Sequence, residues 1–272
     1  MKIAILSDVH ANLEALQAIL AALGAERVDQ IVCLGDIVGY NTNPVECIAL
    51  LRRAGALCIA GNHDRAVTRQ TATDEFSDTA IRAISWTRKR LSPEAIAWLA
   101  GLPLKACVND QLVAVHGALH VDKGCEIVRL DNEDQRRLSF EALRKHPSGA
   151  RVCAFGHTHC LGIYEYRCGV IQTHVGDEVA FRDGSYYLLN PGTVGEPRTA
   201  ERRATCIIFD TTHRTVAVRR VAYDASVPFV KTQQAGLKPR RLTALPAPMR
   251  SIVRRGLRKV GLYEIVRRVV NS

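Results

Sequence analysis

The chain has 272 residues, 47% of them hydrophobic, and a formal net charge of +10. That length sustains a full hydrophobic core as one large domain or two small ones, and no segment approaches the roughly 18 consecutive apolar residues that a membrane span requires. Residues 231–272 hold eleven Lys and Arg side chains against Glu264 alone, so the positive excess belongs to the tail and the preceding residues are balanced.

Residues 3–6, "IAIL", form a short continuous apolar run that suits a strand buried on both faces. Leu13, Leu16, Ile19, Leu20 and Leu23 then recur at helical spacing, with Asn12 as N-cap and Gly24 as the stop. "QIVCLG" (30–35) is a second strand, 45–54 a second helix and "ALCIAG" (56–61) a third strand, a succession that builds right-handed βαβ units and a parallel sheet. Helices are predicted over 75–91 and 93–100, the latter opened by Ser92-Pro93 as cap and first position. Strands return at 111–117, 151–156, 161–166, 185–190, 205–210 and 215–221. The late strands follow one another without helices, so antiparallel pairing is expected, and two sheets packed face to face with helices outside is the predicted architecture. There is no internal repeat and no low-complexity segment. The boundary is placed at 227, with a basic tail over 228–272 punctuated by Pro228, Pro239, Pro246 and Pro248.

Nine cysteines, an odd number with no CxxC pair, argue against a disulfide framework and for a reducing, cytosolic compartment. The opening "MKIAILSDVH" turns polar too soon for a signal peptide.

Five predicted strands end in the same way, with Asp, Asn or His directly after the apolar run. These ends are Asp8-Val9-His10, Gly35-Asp36, Gly61-Asn62-His63-Asp64, His116-Gly117 and Gly156-His157-Thr158-His159. The carboxyl ends of strands in an open α/β sheet converge on one crevice, where ligands bind. Each block alone reads equally well as a solvated strand end or a cap; the set of five is the informative observation. Two carboxylates, one amide oxygen and four imidazoles make a mixed O/N donor set suited to Mn, Fe or Zn and poor for Ca or Mg. Seven donors are too many for one open catalytic site, so two ions sharing a carboxylate account for them better. Such a pair clamps a phosphoryl group and turns a bridging water into hydroxide near neutral pH. The i, i+2 spacing of His157 and His159 belongs to extended chain or a tight loop, since a helical chelating pair sits at i, i+4.

In order and type, D-x-H, GD, GNHD, a strand-terminal HG and GHTH resemble the calcineurin-like metallophosphoesterase superfamily. The blocks "SDVHANLEAL", "CLGDIVGY" and "NPGTVGEPR" are similar to its bacterial branch of small stand-alone phosphoesterases. The resemblance covers about residues 1–221. It implies a four-layer α/β/β/α sandwich of two mixed sheets flanked by helices, and hydrolysis of phosphate esters with two divalent ions, Mn foremost and Fe or Zn as alternatives. It assigns Asp8, His10, Asp36 and His159 to one ion and Asp36, Asn62, His116 and His157 to the other, with Asp36 bridging. It makes His63 the general acid and Asp64 the carboxylate that orients or charge-stabilises it. Asn12, Tyr40, Arg65 and Arg198 are candidates to contact substrate phosphate. Two departures stand out. Ala11 replaces a glycine frequent in the first block, and Asn41-Thr42 replaces the Gly-Pro that often follows "GDIVGY"; the second bears on substrate choice.

The branch favours a phosphodiester or nucleotide-like small substrate, with phosphomonoesters and phosphoproteins as alternatives. A metal-binding scaffold recruited by its basic tail is the non-enzymatic alternative. For the tail, a helix docked on its own domain through Ile252, Val253, Leu257, Val260, Val266 and Val269 ranks beside contact with anionic membrane from the cytoplasmic side. Nucleic acid ranks below both because no aromatic stacking platform accompanies the charge. His120, His146, His174 and His213 match no motif and are expected to be surface or satisfied residues.

Overall fold

A computed structural model describes residues 1–74, 76–199 and 201–237. In chain order the elements are β1 (Lys2–Leu6), α1 (Leu13–Glu26), β2 (Gln30–Cys33), α2 (Pro44–Arg53), β3 (Leu57–Cys58), α3 (Asn62–Val67), α4 (Asp78–Arg88), α5 (Pro93–Ala100), β4 (Lys105–Val108), β5 (Leu112–Val115), α6 (Glu133–Arg144) and β6 (Val152–Ala154). The remainder are β7 (Gly162–Arg167), β8 (Val170–His174), β9 (Glu178–Ala180), β10 (Tyr186–Asn190), β11 (Ala204–Asp210), β12 (Thr215–Val221) and α7 (Ser226–Gln234).

Two six-stranded mixed sheets result, ordered β3-β2-β1-β11-β12-β9 and β4-β5-β6-β10-β7-β8. The inner faces meet through Ile3, Ile5, Val32, Leu34, Leu112, Ala114, Ile207 and Leu189, all buried. Helices α1 and α2 cover the outer face of the first sheet through Leu16, Ile19, Leu23, Cys47 and Leu51, and α6 covers the second through Phe140 and Leu143. The predicted four-layer α/β/β/α sandwich is therefore the observed one. The parallel pairs β1–β2, β2–β3, β5–β6 and β6–β10 all run in a common sense within their sheets. Their carboxyl ends lie at one edge of the sandwich, and the polar strand ends are collected there. Antiparallel pairing of the late strands holds for β7–β8, β7–β10 and β11–β12, while β10 lies parallel to β6.

Several expectations are corrected. Helix α1 runs through Gly24 to Glu26 and ends on Arg27 at φ 52; an exposed glycine in a well-packed helix costs only about 1 kcal/mol and does not stop it. The "GNHD" block opens the short helix α3, and α6, β4, β8 and β9 are additional elements. The boundary at 227 falls inside α7, which packs on α1: Thr232 is fully buried, Lys231 pairs with Glu14, and Leu237 is buried beyond the helix end. The predicted docking of Ile252 to Val269 lies outside the described residues. Among the described residues no helix is long and apolar enough to cross a membrane.

Candidate metal centre

The five strand ends meet. Asp8 and His10 follow β1, Asp36 follows β2, Asn62 and His63 open α3 after β3, His116 follows β5, and His157 and His159 follow β6. Asp8, His10, Asp36, His63, His116 and His159 are at most 3% exposed and Asn62 6%. Bringing loops this close requires backbone that side chains ordinarily exclude. A Cβ on Gly61 would overlap the amide and carboxylate of Asp36, and one on Gly156 would overlap the Ser7 hydroxyl. Asp8, His10, Ala11, Asp36, Tyr40, His157 and His159 all hold positive φ between 48 and 63°. That left-handed backbone is strained for residues other than glycine and is sustained by the surrounding hydrogen bonds. Ala11, at φ 55, takes the left-handed conformation without a glycine's help.

The imidazoles of His10, His116, His157 and His159 are each fixed by one ring nitrogen and present the other. Nδ1 of His10 faces the Val38 carbonyl at 3.3 Å, that of His116 the Leu34 carbonyl at 2.7 Å, and that of His159 the Glu196 carbonyl at 2.6 Å. A carbonyl accepts only, so these Nδ1 atoms carry protons and the three Nε2 atoms face inward. His157 is reversed: its Nε2 donates to the Ile127 carbonyl at 3.2 Å, leaving Nδ1 to face the centre.

Two clusters of donors follow, and His63 joins His10 and Asp36 in a third grouping that overlaps them. In one, Nε2 of His159 lies 3.2 Å from Nε2 of His10 and 3.2 Å from Oδ1 of Asp8. In the other, Nε2 of His116 lies 3.1 Å from Oδ1 of Asn62, with His157 alongside. Oδ2 of Asp36 stands between them, 3.5 Å from His10 Nε2 and 3.4 Å from His116 Nε2. Its Oδ1 accepts from the His63 amide at 2.8 Å, so only Oδ2 faces the centre.

These residues fit divalent cations. Two inward lone pairs 3.2 Å apart repel unless a proton or cation lies between them, and buried Oδ1 of Asp8 has no hydrogen-bond partner at all. A buried carboxylate left this way is costly unless a positive charge compensates it. Burial pulls His10 well below its ordinary pKa, His157 to about 3 and His63 to about 4; neutral imidazole is the ligating form. Burial acts the same way on His116, but the charges of Asp36 and Asp8 more than offset it and push that ring up to about 9. Burial would raise Asp36, yet His116 and His63 beside it hold the carboxyl well below the usual range. The donor set therefore carries its negative charge where a cation would replace the His116 proton.

The remaining candidates separate. Tyr40 lies against His10 and His63, with ring centroids 4.7 and 4.6 Å apart. Arg198 reaches the Tyr40 hydroxyl at 3.5 Å from an exposed position, so both stand at the rim of the centre. Asn12 is buried, its Oδ1 capping α1 at the Ala15 amide and its Nδ2 donating to the Gly195 carbonyl at 2.9 Å. Arg65 pairs with Glu126 at 2.8 Å and donates to the Gln70 carbonyl. Asp64 does not orient His63. Its two oxygens accept from the Val38 and Gly61 amides at 3.1 and 3.0 Å, while Nδ1 of His63 is buried without a partner. Burial, then the charge of Asp36, pushes the Asp64 carboxyl up to about 7. The His63 ring is held by packing against Tyr40 and against Phe76, 5.1 Å away.

Sequence reasoning also missed residues that support the centre. Asn190, fully buried at the end of β10, donates to the Gly156 carbonyl and the Thr158 hydroxyl and so holds the "GHTH" loop. Thr193 donates to the Asp8 carbonyl at 2.9 Å. The turn "NPGTVGEPR" thus ties the Asp8 loop and the "GHTH" loop together. His120, His146, His174 and His213 have the satisfied roles expected of them, on Ser139, Ser148, Glu165 and Asp210.

A family model of the calcineurin-like phosphoesterase superfamily domain matches residues 1–214. The chain belongs to this superfamily. The phosphoesterase is 30% identical over 244 residues to an uncharacterized protein of Methanocaldococcus jannaschii, covering 84% of this chain and 90% of that one. A solved metallophosphoesterase from Sphaerobacter thermophilus is 33% identical, with a TM-score of 0.72 over 88% of this chain and 95% of that chain. A hypothetical protein from Pyrococcus horikoshii shares the fold at 17% identity, with a TM-score of 0.69 over 87% of this chain and 94% of that chain. The chain is a metal-dependent phosphoester hydrolase.

Proposed function

We propose that this phosphoesterase is a dinuclear enzyme, with Mn as its preferred ion and Fe or Zn as alternatives, acting on a small phosphodiester or nucleotide-like ester. The observation that carries the proposal is the place of Asp36 Oδ2, at 3.4 and 3.5 Å from one imidazole of each donor cluster. Asp8, His10, Asp36 and His159 would hold one ion, and Asp36, Asn62, His116 and His157 the other. When bound, the pair supplies Lewis acidity toward the phosphoryl oxygens and toward water, together with charge that offsets that of the phosphate.

The chain's own groups do the rest. Tyr40 and Arg198 stand at the rim, where a guanidinium and a phenol orient a phosphate oxygen. His63 faces the same space and donates its N–H to the leaving oxygen; an anionic phosphate beside the ring favours the protonated imidazole and counters the effect of burial. The wall formed by Tyr40, His63 and Phe76 suits an organic leaving group, which monoesters and diesters both carry, and the preference for the diester rests on the resemblance of the sequence blocks. Phosphomonoester and phosphoprotein substrates are the alternatives, and a non-catalytic metal-binding scaffold is the opposing reading.

The test is Mn-dependent hydrolysis of a generic aryl phosphodiester and an aryl phosphomonoester by wild type and His63→Ala. Faster hydrolysis of the diester, and a loss of about 100-fold or more in the variant, is the expected result. Hydrolysis of neither ester under any divalent ion supports the scaffold reading instead. All nine cysteines are free thiols, which supports a cytoplasmic location. Peripheral contact of residues 228–272 with anionic membrane belongs to the same proposal. Equal sedimentation with anionic liposomes by the full chain and by residues 1–237 would rule that contact out.

A further inference from the structure

The segment between β5 and α6 carries His116 and the carbonyl that holds His157, and it is joined to α3 by an ion pair whose carboxylate is buried. Glu126 is 2% exposed, its Oε1 lies 2.8 Å from Nε of Arg65, and its Oε2 has no hydrogen-bond partner. Among the described residues this is the one ion pair that joins the segment to α3. A buried carboxylate so placed depends on its single cation, and losing either partner strands the other charge.

What the pair joins is informative. Arg65 stands three residues after Asn62 on the same short helix. Next to Glu126, the Ile127 carbonyl accepts from His157 Nε2 and fixes which nitrogen of that ring faces the centre. The Cys125 carbonyl, on the other side of Glu126, accepts from the Ala118 amide at 2.8 Å and lies where a Cβ on Gly117 would collide with it. Gly117 directly follows His116. Asn62, His116 and His157 are thus each within three residues of, or hydrogen-bonded to, the frame that Arg65 and Glu126 lock. Asp8, His10 and His159 rest on other supports, the carbonyls of Val38 and Glu196 and the Thr193 hydroxyl.

We propose that Glu126, acting through Arg65 and Ile127, is a positioning residue for the Asp36–Asn62–His116–His157 site and not for its neighbour. The assignment rests on the dinuclear reading. It concerns residues that reach no substrate, and it makes the two sites separable in affinity. Partners that fix the orientation of ligating histidines typically change metal affinity by about 10- to 100-fold.

The experiment is titration of the metal-free full-length protein with Mn alone, followed by calorimetry and by electron paramagnetic resonance. Wild type is expected to bind two ions and to develop the signal of a spin-coupled pair. Glu126→Gln and Arg65→Gln are expected to keep one site unchanged and weaken the other about 10- to 100-fold, leaving the six-line spectrum of an isolated ion at low occupancy. The charge-swapped pair Glu126→Arg with Arg65→Glu is expected to recover part of the loss, which also guards against variants that merely fold poorly. Glu126→Gln with both affinities unchanged, or with both sites weakened equally, overturns the positioning role while leaving the dinuclear reading intact. A wild type that binds a single ion overturns both.

Discussion

Asn190→Ala probes how the sandwich holds its metal-facing loops. The side chain is fully buried and makes three hydrogen bonds: Oδ1 accepts from the Gly192 amide at 2.9 Å, and Nδ2 donates to the Gly156 carbonyl at 3.1 Å and the Thr158 hydroxyl at 3.0 Å. Truncation strands these partners unequally. The Gly156 carbonyl keeps a second donor in the Thr158 amide, whereas no other acceptor stands at the Gly192 amide, so that group bears the full desolvation penalty of about 1–3 kcal/mol. With about 1 kcal/mol for each remaining bond, the expected loss is about 3–5 kcal/mol. For a folded unit of this size that lowers Tm by roughly 6 to 20 °C. Urea and thermal melts followed by circular dichroism, with EDTA present so that ion binding does not mask the change, measure it. Because the same bonds aim His157 and His159, hydrolysis by the metal-loaded variant at permissive temperature should fall by about 100-fold, the cost of a displacement near 1 Å. A Tm within 2 °C of wild type together with undiminished hydrolysis would refute the claim that this turn holds the "GHTH" loop.

Other outcomes follow from the same geometry. Asp64→Asn places an NH2 against one of two backbone amides, so it should destabilise by about 2–4 kcal/mol in urea melts yet leave the leaving-group dependence of kcat unchanged; a selective loss on poor leaving groups would restore Asp64 as the partner of His63. Phe76→Ala should show the opposite pattern, slowing alkyl esters more than nitrophenyl esters. Burial alone would raise Glu165, but hydrogen bonds from Ser185 and His174 hold its carboxyl below the ordinary value of 4.5. A lowered carboxyl contributes stability that is present above the unfolded pKa and lost as pH falls through the folded one. Glu165→Gln should therefore flatten the decline in stability below about pH 4.5, and an unchanged acid limb in pH-dependent melts would contradict this. Chelation should lower Tm in proportion to RT ln(1 + [L]/Kd), about 2.7 kcal/mol per site when the ion was at 100 times its Kd.

The polar strand ends were legible because βαβ connectivity forces the carboxyl ends of parallel strands to one edge, whatever the loops between them do. The two sheets followed from the apolar runs for the same reason. Helix α6 was not legible: only Ser139, Phe140 and Leu143 of its twelve residues are buried, too narrow a stripe to show as periodicity. Helix α3, with six residues, is shorter than any periodic signal. The roles of Asp64 and Arg65 escaped for another reason. Adjacency to His63 suggested that Asp64 orients it and that Arg65 stands beside it to hold phosphate, but on a helix successive side chains leave in different directions. Asp64 therefore turns back to the amides of Val38 and Gly61, and Arg65 turns away to Glu126. Asn12 carried a legible signal, that of an N-cap, and the structure keeps that role and adds a bond from its Nδ2 to the Gly195 carbonyl. Glu126 could not be found at all from the sequence, because a lone glutamate in a loop is ordinarily solvated.

Two ions astride the Asp36 carboxylate are tested most directly by anomalous scattering from Mn-loaded crystals. Two peaks about 3.5 to 4 Å apart, flanking Asp36 Oδ2, with His159 Nε2 on one and His157 Nδ1 on the other, are the predicted result. A single peak with both rings of the "GHTH" loop on the same ion would contradict it.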